Sequence, residues 1–137
     1  MAANTVPIFV NVPHNEWGAN VTAANTAMDG TGTVTTCFVA DATDGSFVNK
    51  LIVRALGTCT ASVIRVFMNN GSTNTTAGNN VLIADVSLAA TTASNIAALN
   101  PIEIPLNLVM KPGYKLNITL GTAVSAGYAV SAHGGDY

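Results

Sequence analysis

The residues able to do chemistry are few and scattered. His14 and His133 are the only histidines, and Glu16 and Asp136 are the carboxylates nearest to them in sequence. A His–carboxylate pair is raw material for general acid–base catalysis. Both histidines, however, fall on segments flanking the strand-rich middle of the chain, where they are expected to be exposed. Asp41, Asp44 and Gly45 make an Asp-x-x-Asp-Gly run. A calcium loop needs oxygen ligands at alternating positions and a closing Glu, so this run reads as a turn. Asp29-Gly30-Thr31-Gly32-Thr33 is glycine-rich, but no Lys or helix start follows to hold a phosphate, and it reads as linker. Cys37 and Cys59 have no companions at metal-ligand spacing and are expected to be free, small and buried. Lys50 and Arg54 share a strand face. If 47–56 and 60–68 pair as a hairpin, Arg65 lies nearby and Asp85 answers them. The economical reading of this group is a solvated outer face; the functional one is a contact surface for a neighbouring subunit. No catalytic, cofactor-binding or metal-binding residue can be nominated.

Composition explains the shortage. Only 9% of the 137 residues are Asp, Glu, Lys or Arg, against roughly 25% in an ordinary soluble domain. Thr, Asn, Ser and Ala stand in their place, between short runs of Val, Ile, Leu and Phe. Five Lys plus Arg and a net charge of −2 make no basic stripe, so nucleic acid is not an expected partner. No run approaches the 18 apolar residues of a membrane helix. Met1–Asn4 lacks the basic start and apolar run of a secretion leader. The Asn-x-Ser/Thr sequons at Asn20, Asn70, Asn74 and Asn117 follow from the abundance of Asn and Thr.

The elements that must carry these residues are strands. Thr33–Ala40, Phe47–Leu56, Thr60–Met68, Val81–Leu88, Ile102–Met110, Tyr114–Leu120 and Val124–Ala132 follow one another at turn spacing. Ile104, Leu106 and Leu108 alternate with Glu103, Pro105 and Asn107. Leu116, Ile118 and Leu120 alternate with Lys115, Asn117 and Thr119. On the same reading Leu82, Ala84, Val86 and Leu88 share a face opposite Asp85 and Ser87. This period of two predicts an all-β, antiparallel sandwich of jelly-roll type over 31–137. Its expected core includes Val53, Ile64, Val66, Val86, Leu106, Leu116 and Ile118. Pro105 marks its strand as edge or bulged, and Thr92–Leu99 is the one stretch suited to a helical turn. Residues 1–30 are poor in core residues and read as an extended N-terminal arm. Val6, Ile8, Phe9, Val10 and Trp17 are its apolar anchors. Tryptophan is enriched at interfaces, although packing in the chain's own core competes for Trp17.

The segments TCFVADATDGSFVNKLIVRALGT, ASVIRVFMNNGSTNTT, VLIADVSLAATT, IPLNLVMKPGYKLNITLGT and AGYAVSAHGGDY resemble small structural proteins of tailed bacteriophages. The likeness runs from Thr33 to Tyr137 and carries no catalytic motif. It implies a virion protein of the capsid decoration or cement type, not an enzyme. Such a protein forms a homo-oligomer, commonly a trimer, and binds the major capsid protein on the outside of the head, without cofactor, nucleic acid or membrane. The interface candidates are then Val6, Ile8, Phe9, Val10, Trp17, Lys50, Arg54 and Arg65. A tail or fibre-attachment protein is the neighbouring alternative. A carbohydrate-binding sandwich is the alternative from another class, and it needs an exposed aromatic platform from Trp17, Tyr114, Tyr128 or Tyr137. A hydrolase ranks below both, for want of paired acids on strand ends.

Overall fold

Alternating aliphatic and neutral polar residues suit a half-buried pleated surface, and the chain forms strands wherever that alternation runs. The computed structural model describes residues 10–17 and 20–137, the side chain of Trp17 excepted. The strands are β1 (Val12–Trp17), β2 (Thr35–Val39), β3 (Ser46–Ala55), β4 (Ser62–Asn69), β5 (Asn80–Leu88), β6 (Ile102–Met110), β7 (Lys115–Leu120) and β8 (Tyr128–Asp136). Sheet A has the order β1-β8-β3-β6 and sheet B the order β2-β7-β4-β5. Every ladder is antiparallel. Consecutive strands alternate between sheets except at β4–β5, which is the jelly-roll arrangement of the sandwich.

The core lies between the sheets. Val53, Ile64, Val66, Leu116 and Ile118 are buried there as expected, while Val86 and Leu106 are only partly covered. Each large aliphatic removed from water contributes about 1.5–3 kcal/mol. β6 is an edge strand, and its register with β3 shifts beside Pro105 and Asn107, the latter with φ 46°. The missing Pro N–H is tolerated there because an edge strand need not donate on its outer side.

Three expectations are corrected. First, β3 and β4 lie in different sheets and do not form a hairpin. The connection between them is long enough to cross the sandwich, and it is pinned midway where Cys59 bridges Thr91. Second, Thr92–Leu99 contains no helix, and Ile96 within it is 99% exposed. An isolated segment this short cannot offset the cost of helix nucleation without packing. Third, the face of β5 switches partway along. Val66 pairs with Ala84 but Phe67 with Leu82, leaving Ile83 as the extra residue of a bulge. Leu82 therefore shares a face with Asp85 instead of opposing it.

From residue 12 onward the stretch read as an arm adds to the sandwich. β1 pairs along β8, Val21 bridges Tyr128, and Ala24 bridges Leu120. The chain then lies over the outer face of sheet B as a strap. The Asn25 amide donates to the Thr31 and Thr33 carbonyls, closing the strap on itself. The Asn74 amide donates to the Gly30 and Gly32 carbonyls and ties it to the β4–β5 loop. Both glycines have φ near +80°, a conformation strained for other residues. The attachment rests mainly on backbone and amide hydrogen bonds, so the scarcity of apolar residues before position 33 does not prevent it. Beneath the strap Phe67, Asn117 and Thr119 are buried although they point away from the inter-sheet core.

Candidate functional site

Among the described residues no strap like that on sheet B lies over the outer face of sheet A, although Val10 covers Gly135 at one end. Cross-strand registers arrange this face in rows. Pro13, Gly135, Phe47 and Val109 lie side by side at one end. Asn15, His133, Lys50 and Pro105 form the next row, and Ser131, Ile52 and Glu103 the one beyond, where the Trp17 backbone also pairs. Val109 is 65% exposed, and Phe47 and Ile52 are partly covered. Lys50 donates to Glu103 Oε1 at 3.0 Å. At this exposure such a pair adds little to stability, but it neutralises the centre of the face. Arg54 is exposed on the same side of β3 and has no ion-pair partner among the described residues. His133 Nε2 lies 3.0 Å from the Ser131 hydroxyl.

The interface candidates separate accordingly. Val6, Ile8 and Phe9 lie outside the described residues, as does the side chain of Trp17. Val10 is exposed and lies where a side chain on Gly135 would stand, at the apolar end of the sheet A face. Lys50 and Arg54 are on that face. Arg65 is not: it lies on the outer side of sheet B, opposite Thr119 and Asp85. It donates weakly to the Asn25 carbonyl at 3.5 Å, and its Nε is buried without a partner. Asp85 is its cross-strand neighbour but forms no ion pair with it.

The expectation that His14 is exposed on a flanking segment is also corrected, and here lies the one titratable cluster among the described residues that sequence reasoning undervalued. The His14 ring packs on Phe38 of β2, with centroids 4.6 Å apart. Its Nδ1 lies 3.1 Å from Asp136 Oδ1 and its Nε2 lies 2.5 Å from Glu16 Oε1. Asp136 also accepts from the buried Ser46 hydroxyl. Burial alone would lower the imidazole pKa. The hydrogen bonds and negative charges of Glu16 and Asp136 outweigh it and leave the pKa above the ordinary 6.5. The spacing His14-x-Glu16 on a strand was a visible signal, because residues two apart share a face. The antiparallel return of Asp136 was not visible. The cluster is not a nucleophile site, because Ser46 and His14 both bond the carboxylate and not each other. Nor is it a metal site, because the ring nitrogens face opposite ways; no group of three or more His, Cys, Asp or Glu able to hold a metal occurs among the described residues.

The remaining candidates are structural. Asp41 accepts from the Thr43 and Asp44 N–H groups, and these backbone bonds hold its carboxyl below the usual range. Asp29 is held below its usual range by hydrogen bonds from the Thr31 hydroxyl and N–H. Cys37 and Cys59 are buried and unbridged. Tyr114, Met68, Asn70, Asn79, Asn80 and Val81 line an open depression of about 210 Å³. Its amides are committed elsewhere: Asn70 to Asn79, Asn79 to the Thr73 carbonyl, and Asn80 to the Asn74 carbonyl. No helix among the described residues is long and apolar enough to cross a membrane.

No family model, curated protein or solved structure matches the chain.

Proposed function

We propose that this chain is a structural virion protein: a capsid decoration or cement protein that forms a homotrimer and binds the major capsid protein on the outer surface of a phage head. The observation that carries the reading is the outer face of sheet A, which the described residues leave largely open. It combines an apolar row, exposed at Pro13 and Val109, with neutral polar residues, one self-neutralised ion pair and a single cation, Arg54, without an ion-pair partner among the described residues. Such a face can be desolvated at lower cost than a charged one. The four strands of sheet A, of 6, 9, 10 and 9 residues, cover about 540 Å² at roughly 3.3 Å per residue and 4.8 Å between strands. That is most of the roughly 800 Å² one partner buries in a standard interface. The jelly roll is used by capsid proteins and lectins alike, so the fold supports the reading without selecting it. The resemblance of Thr33–Tyr137 to phage structural proteins favours the virion reading over the lectin one.

The test is co-sedimentation of purified protein with tailed-phage heads that lack it. Wild type is expected to pellet to saturation. Val109→Asp, which puts a charge into the apolar row, is expected to weaken binding at least tenfold, while Ser94→Asp in the exposed β5–β6 loop leaves it unchanged. Equal binding by Val109→Asp and wild type rejects the sheet A face. Failure of wild type to pellet rejects the reading itself.

A further inference from the structure

The His14 bridge does more than fill space at a sheet edge. Among the described residues β1 is the outermost strand of sheet A and pairs only with β8. Pro13 within it has no N–H to give the ladder. Val12, Pro13, Asn15 and Glu16 are exposed, and none of the described side chains of β1 belongs to the buried core. Side-chain attachment among the described residues therefore falls to His14, on Phe38 and between its two carboxylates. Ionised carboxylates only accept hydrogen bonds, and a neutral imidazole has one donor nitrogen and one acceptor. Both ring nitrogens of His14 face carboxylate oxygens, so the geometry is satisfied only by the doubly protonated ring. With one proton lost, a nitrogen lone pair is left against a carboxylate oxygen.

We propose that β1 is a pH-operated latch, closed on β8 while His14 is imidazolium and released from it when His14 loses its proton, with the rest of the sandwich intact.

The groups around His14 support this direction. From β1 comes Glu16, from β8 Asp136, from β2 the uncharged Phe38 ring, and from β3 the Ser46 hydroxyl, which donates to Asp136. Asp41 follows beyond Ser46, with its carboxylate turned to its own loop. His133 pairs with Asn15 on the opposite side of the sheet. No described Lys or Arg is ion-paired to either carboxylate. A folded-state pKa raised above 6.5 means that the docking energy is fully present below the unfolded value. It is lost as pH rises through the raised one. Release bares the β8 edge and uncovers the otherwise fully buried Phe38, independently of what the protein binds.

Hydrogen exchange of the full chain between pH 5.5 and 9, corrected for intrinsic exchange rates, tests the latch. Protection of β1 amides relative to β4 and β7 is expected to fall with rising pH, by about tenfold for each unit that the folded His14 pKa exceeds the free value. Glu16→Gln, whose amide can donate to the lone pair, is expected to flatten that fall while β1 stays docked. His14→Gln is expected to abolish it. Nitrogen-15 shifts of the His14 ring below the transition should show both nitrogens protonated. A β1 protection independent of pH, the same fall in His14→Gln, or a singly protonated ring in the docked state overturns the proposal.

Discussion

Phe67→Ala tests whether the strap covers sheet B. Phe67 is fully buried, yet it faces Asn117 and Leu82 on the outer side of sheet B, away from the inter-sheet core. Its burial therefore depends on the strap. Losing about 150 Å² of buried ring at about 25 cal/mol per Å² costs about 4 kcal/mol, within the usual range of about 3–5 kcal/mol for a buried Phe→Ala. With a urea m-value of about 2 kcal/mol/M, the unfolding midpoint should fall by about 2 M at constant m. Asn25→Ala removes the two amide bonds that close the strap and should cost about 1–3 kcal/mol. Combining the two changes should cost less than their sum, because a loosened strap has already uncovered the ring. A Phe67→Ala loss under about 1 kcal/mol, the range of surface substitutions, or strict additivity with Asn25→Ala, would refute the covering.

Leu116→Ala, at a fully buried position facing the core, should cost about 2–5 kcal/mol in the same urea assay. Gly134→Ala should prevent β8 from docking on β3, since its Cβ would collide with the Phe47 carbonyl; circular dichroism and a lowered melting temperature would register this. Cys37 and Cys59 are both buried, and burial pushes the Cys37 thiol up to about 12, so native protein should resist alkylation at neutral pH and take up two equivalents once unfolded. Intact mass should show no loss of two hydrogens. Stability followed by urea titration should decline from pH 6.5 upward as His14 loses its proton, a decline absent from His14→Gln.

What was legible in the sequence was the strand alternation and, away from the bulge in β5, the side of the sandwich its residues take. Leu116 and Ile118 reached the core because period-two patterning reports the pleat directly. The bulge at Ile83 was not legible, because an inserted residue looks like ordinary alternation until its partner strand is known. Nor was the pairing of strands. β3 and β4 are neighbours in sequence but lie in opposite sheets, and this separated Arg65 from Lys50 and Arg54. Asn117 and Thr119 were correctly phased outward, but their burial depends on a strap that carries almost no apolar signal. It is held by Asn25 and Asn74 through carbonyl contacts, which leave no periodicity to read. His14 showed its local partner, Glu16, two residues away. Asp136 reached it only through the ladder that joins the two ends of the chain.

Cryo-electron microscopy of tailed-phage heads mixed with the purified protein is the most direct test of a decoration role. The account predicts an ordered density on the outside of the shell, grouped in threes. Each copy should fit the eight-stranded sandwich, with the Val109 and Lys50 face of sheet A against a neighbouring protein and the strap on sheet B turned away. Bare heads, density on the tail alone, or a sandwich seated through its strap would contradict it.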